Sequence, residues 1–153
     1  MNGVSMTPAA LHLFNVDDGP EKLDVEKTQL FHHPVEKLLY LSLRSRQDIQ
    51  IAVAFLCTRV QHPDTDDYKK LTCVMKYLRG TRDITLTMET DKGHRWWVDI
   101  LYAVHLDIRS HSGIHMTLGK GTAYSVSSKQ NLNTKSSTEA ELVAIDDSMG
   151  QVL

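Results

Sequence analysis

Residues 95–104 read RWWVDILYAV. Aromatic and aliphatic side chains crowd here as they do in a β-strand, and a single carboxylate, Asp99, interrupts them. A buried carboxylate without a partner is costly, and it either takes up a proton or finds a cation. The flanking residues keep the strand period. DITLTMET (83–90) alternates, and SGIHMTLGKGTAYSVSS (112–128) gives two short strands, 113–118 and 122–127, joined at Gly119, Lys120 and Gly121. Glycines between two alternating runs signal a hairpin. SSTEAELVAIDDSM (136–149) then opens a helix, with Thr138 and Glu141 in the T-x-x-E spacing of a capping box.

Upstream the period is helical. VEKLLYLSLR (35–44) follows Pro34, a favoured early helix position. DIQIAVAFLCTRV (48–60) has Asp48 as its candidate cap and apolar residues almost throughout, which predicts the most buried helix. HPDTDDYKKLTCVMKYLRG (62–80) offers Asp64 or Thr65 as cap, aligns Tyr68, Leu71, Val74, Met75 and Leu78, and stops at Gly80. Three parts result: an irregular arm (1–30), a helical segment (31–82), and a meander with one helix (83–153). The fold class expected is α+β or α/β.

The 153 residues suffice for one domain with a real core or for two small ones. No apolar run is long enough to span a membrane, the N-terminus has no secretory pattern, and Cys57 and Cys73 lack metal-ligand spacing. An intracellular chain, cytoplasmic or nuclear, with reduced thiols is expected. The net charge of −2 hides a split: residues 1–30 carry two basic and five acidic side chains, 31–82 nine and five, and 83–153 six and nine. The basic middle could serve a polyanion or form a solvated set of helix faces. Arg44, Arg46, Lys69 and Lys70 are its candidate phosphate contacts. His105, His111 and His115 straddle a turn and do not read as a zinc site. Trp96 and Trp97 are strand neighbours facing opposite sides, so one of them belongs to the core.

Asp99 on a strand and Glu141 on the following helix could jointly hold a divalent cation, because Mg²⁺ takes oxygen ligands from a few carboxylates plus water and phosphate. Glu141 could equally be only the capping partner of Thr138, and Asp99 could face solvent. At this point LLYLSLRSRQDIQIAVAFLCTRVQHPDTDDYKKLTCVMKYLRGT (38–81) resembles the tail of the reverse transcriptase of copia-type retrotransposon polyproteins. RWWVDILYAVHLDIRSHSG (95–113) and LGKGTAYSVSSKQNLNTKSSTEAELVA (118–144) resemble the start of the ribonuclease H domain that follows it. The resemblance runs from about Thr7 to the last residue.

It implies an incomplete ribonuclease H-like fold, a three-strand antiparallel meander plus one helix. It also implies Asp99 and Glu141 as remnants of the catalytic, metal-binding carboxylates, with Glu139 the alternative if the TEAE alignment shifts by two. Mg²⁺ would be the cofactor, weakly held, and an RNA–DNA hybrid the partner. The departures are specific. Ile100 and Leu101 stand where the family has small or polar residues, and they should crowd the metal pocket. Ile114 and His115 follow Gly113 where the family often has a tyrosine or glycine. The family's third and fourth acidic ligands follow the helix, Asp146 and Asp147 lie within it, and VDD (16–18) is too irregular in context to be the reverse transcriptase's own acidic pair. The expectation is therefore a transposable-element polyprotein fragment related to hybrid cleavage but inactive, or a remnant that only binds nucleic acid or protein. An unfinished sheet also predicts self-association through its exposed edge.

Overall fold

Pro34 does not open a helix. In the computed structural model, which describes residues 3–9, 12–16 and 19–152 (the side chains of 91, 92 and 152 excepted), α1 runs from Val25 to Arg44 with Pro34 inside it. The start is set by Asp24, whose carboxylate accepts from the Lys27 N–H at 2.8 Å. That bond also holds the Asp24 carboxyl below its ordinary pKa. Glu26 follows in the first turn, where a negative charge meets the positive end of the helix. Phe31, Val35, Leu38 and Ser42 form the buried stripe, a helical spacing that carries the chain through the proline. Asp17 and Asp18 of the VDD triplet lie outside the described residues.

A 3-10 turn, Gln47–Ile49, leads into α2, Gln50–Arg59, and α3 follows at Thr65–Gly80. Asp48 is not the cap of α2. Its carboxylate instead receives the Arg46 guanidinium at 2.8 and 2.9 Å and the Tyr77 hydroxyl at 2.8 Å. The α3 start is as the sequence implies, with Asp64 and Asp67 forming a reciprocal capping box. The buried face of α3 is Asp67, Lys70, Leu71 and Val74. Tyr68 and Met75 are exposed, so the stripe is rotated from the apolar spacing because two charged residues take inward positions. Arg59 makes this possible, its Nε reaching Asp67 at 2.9 Å and its second nitrogen reaching Asp64 at 3.1 Å. Burial pushes the Asp67 carboxyl up, against the hydrogen bonds from the Asp64 N–H and Arg59.

The N-terminal arm is tied down. Leu13 joins the core of Phe31, Ile49, Val53, Phe55 and Leu71, and Phe14 meets Phe55 edge-on at 5.5 Å. Leu23 and Thr65 exchange backbone bonds with Pro63 and Glu21. The arm and the three helices make up one compact unit, Met1–Thr85.

The second unit, Leu86–Leu153, holds β1 (Glu89–Leu101), β2 (His111–Lys120), β3 (Thr122–Lys129) and α4 (Ser137–Val152). The sheet is antiparallel in the order β1-β2-β3. Of the alternating run 83–90 only Glu89 and Thr90 enter a strand. At the hairpin Gly121 has φ +79°, and a Cβ there would meet the Thr87 carbonyl oxygen at 2.3 Å, so only glycine fits. Trp96, Val98 and Ile100 are half-buried while Trp97, Asp99 and Leu101 are exposed. The register places Val98 and Ile100 opposite Ile114 and Ser112. Those two are buried, as are Ala140 and Ala144 of α4. The chain is thus mixed α+β.

Removing Arg59 should leave two carboxylates without their cation, one of them fully buried. We expect Arg59→Ala to lower stability by roughly 3 kcal/mol in urea unfolding followed by circular dichroism. A loss under about 1 kcal/mol, the range of an exposed pair, would contradict this role.

Candidate functional site

α4 is capped two residues earlier than its sequence suggests. Ser136 Oγ accepts from the Glu139 N–H at 3.2 Å, and the Glu139 carboxylate accepts from the Lys135 N–H at 2.7 Å. The cap is Ser136, not Thr138, and the acid folded back over the helix start is Glu139, not Glu141. The start at Ser137 lets the buried Ala140 donate its N–H to the Ser136 carbonyl while its own carbonyl accepts from Gln130. Glu141, released from capping, projects beside β1. A cavity of about 150 Å³ there is lined by Val98, Asp99 and Ile100 of β1 and by Glu141 and Ile145 of α4. β1 is an edge of the sheet. Asp99 belongs to the outward-alternating set, and its carboxylate folds back along the strand to accept from the Ile100 N–H at 2.9 Å.

The structure therefore brings Asp99 and Glu141 to one cavity. Glu139 is spent on the cap and lines a separate groove of about 370 Å³ with Asp146, Asp147, Leu132, Leu142 and Val143. Ile100 is a wall of the Asp99 cavity, but Leu101 is not, and it lies 39% exposed. Among the described residues no third carboxylate or histidine joins Asp99 and Glu141; the one set of three close metal-ligand side chains is His32, His33 and Glu36 on α1. Two carboxylates with waters can hold one hard cation.

The four basic candidates divide evenly. Arg44 is exposed, with its guanidinium over the Tyr40 ring, and Lys69 is exposed. Arg46 and Lys70 are corrections. Arg46 is buried, donating to Asp48 and to the Thr81 carbonyl and hydroxyl. Lys70 is buried too, bonding the Asn15 carbonyl and Asp66 and lying over the Phe55 ring. Neither is turned to a phosphate. Of the tryptophans, Trp96 packs on Tyr124 and Trp97 is 60% exposed.

Sequence reading missed a buried polar relay. His105 Nε2 lies 3.0 Å from His111 Nδ1, and His111 Nε2 lies 2.8 Å from Ser127 Oγ. The loop that delivers His105 carries positive φ at Ala103 and Ile108, and no local spacing announces it. Burial, aided by His105, pushes His111 down to about 4, and burial, then Lys129, lowers His105. With both rings buried and hydrogen-bonded in series, the relay ties β2 and β3 to the loop before β2. No helix among the described residues is long and apolar enough to cross a membrane. No family model, curated protein or solved structure matches the chain.

The relay makes the second unit acid-sensitive. Unfolded, His111 takes its proton near pH 6.5, and folded only near 4. Between these values the unfolded state binds more protons, so stability is full above about pH 6.5 and falls as pH drops toward 4, by on the order of 3 kcal/mol. Both tryptophans lie on β1, so tryptophan fluorescence in urea titrations across this range follows the loss. His111→Gln should flatten the pH profile.

Proposed function

We propose that the chain is part of a copia-type retrotransposon polyprotein, covering the end of the reverse transcriptase and the start of its ribonuclease H domain, and that this 153-residue form does not cleave. The sequence blocks ending in KYLRGT and SSTEAELVA support it. The observation that carries it is the shared cavity of Asp99 and Glu141, one on a meander strand and one on the helix after it. The ribonuclease H-like fold belongs to this proposal.

The resemblance implies Mg²⁺. Asp99 and Glu141 are oxygen ligands and fit one Mg²⁺ with waters completing its shell. They do not fit a pair of ions. When bound, such a pair activates water and stabilises the leaving oxygen of a phosphodiester. Here the chain's own groups would do less: Asp99 and Glu141 would hold one cation, with Ile100 and Ile145 beside it as apolar walls. Where ligands act as a unit, losing part of the set removes most of the rate.

Binding without chemistry is the second reading, favoured by Arg44 and Lys69, which remain on the surface of the basic segment. Purified chain with Mg²⁺ should leave the RNA strand of a hybrid intact, and Asp99→Asn should change nothing. Cleavage abolished by Asp99→Asn would overturn the inactive assignment. In fluorescence anisotropy, the Arg44→Ala/Lys69→Ala double variant should reduce the slope of log affinity against log salt by about 2.

A further inference from the structure

We propose that His32, His33 and Glu36 form a site for a borderline divalent cation, zinc foremost, that clamps α1 across Pro34. The donor atoms lie within 4.8 Å of one another. His32 Nδ1 is 4.0 Å and His33 Nδ1 3.9 Å from Glu36 Oε2. Donors around a tetrahedral zinc stand about 3.4 Å apart, from metal–ligand distances near 2.0–2.1 Å. Small rotations of the exposed His33 and Glu36 and the half-buried His32 close that gap, and the helical backbone already presents them on adjoining turns. Two imidazoles and one carboxylate, with water in the open position, suit zinc. Nitrogen donors disfavour Mg²⁺.

The position of the cluster is the second observation. His32 and His33 precede Pro34 and Glu36 follows it. Pro34 removes the N–H that would bond the Leu30 carbonyl, so this is the weak turn of α1. The helix before it is thinly anchored: between Val25 and Pro34 only Phe31 is buried, while Val25 and Leu30 are exposed. A cation shared by residues on both sides of Pro34 replaces the missing cross-turn bond. It binds the helix in preference to the frayed end, and so shifts that equilibrium toward helix.

Zinc titration by calorimetry, with hydrogen exchange on the same chain, tests this. One zinc should bind per chain at submillimolar concentration. At zinc tenfold above its dissociation constant, amides 29–33 should gain protection by about tenfold. Losing outer-shell partners already costs a metal site roughly tenfold or more in affinity, so His33→Ala and Glu36→Gln should each cost at least that. Cys57→Ser/Cys73→Ser should leave binding unchanged. No saturable uptake, uptake without protection of 29–33, or uptake undiminished in the Glu36→Gln and His33→Ala variants would overturn the site.

Discussion

One side-chain amide positions the second unit's candidate site. Gln130, 2% exposed, donates from Nε2 to Ser112 Oγ and to the Ala140 carbonyl, both at 2.9 Å, while its backbone N–H bonds the Ser110 carbonyl. It ties β2, the loop before it and the first turn of α4 to one point. Its Oε1 is buried without a partner, a cost of about 1–3 kcal/mol, so the two bonds from Nε2 and the backbone bond carry the placement. The helix start is therefore pinned to the sheet. With Ala140 fixed there, the next residue, Glu141, falls beside the edge strand that carries Asp99. That Asp99 and Glu141 line one cavity follows from Gln130 and the Ser136 cap.

In the first unit, charge is used for folding before it is available for binding. The excess of basic over acidic residues in 31–82 suggests a polyanion surface. Yet Arg46, Arg59 and Lys70 are drawn into pairs with Asp48, Asp64, Asp67 and Asp66. Arg46 is held by Asp48, which raises its pKa, and the same contact lowers that of Asp48. Such pairs must repay the desolvation of both ions, which demands close geometry and further hydrogen bonds. The Thr81 contacts of Arg46 and the N–H groups donating to Asp64 supply them. What remains for phosphate is smaller than the composition implies.

Features set by adjacent residues were legible in the sequence, and those set by distant ones were not. The α3 cap at Asp64, the hairpin glycines and the inward and outward tryptophans follow from local chemistry. Pro34 misled because a proline reads as a helix start, whereas Asp24 and the stripe through Phe31 and Val35 extend α1 past it. The α4 cap was misplaced by two residues because Ser136 and Thr138 both have an acid three positions on. The earlier cap is favoured by the bonds of Ala140 to Ser136 and from Gln130, a residue outside the helix. Lys70 and the His105–His111–Ser127 relay could not be read at all, since their partners come from other parts of the chain.

The two metal-binding proposals differ in donor atoms, and that difference governs how either can be studied. Asp99 and Glu141 offer oxygen alone, which suits a hard cation that keeps its waters. His32, His33 and Glu36 offer two nitrogens, which raise affinity along the series from manganese toward copper and zinc. A transition metal used as a stand-in for Mg²⁺ would therefore fill the α1 cluster before the β1 cavity. Binding measured with that metal would report on residues in the first unit, and it would be insensitive to Asp99→Asn whatever the cavity does. Only Mg²⁺ itself, or a chain carrying Glu36→Gln, isolates the carboxylate pair.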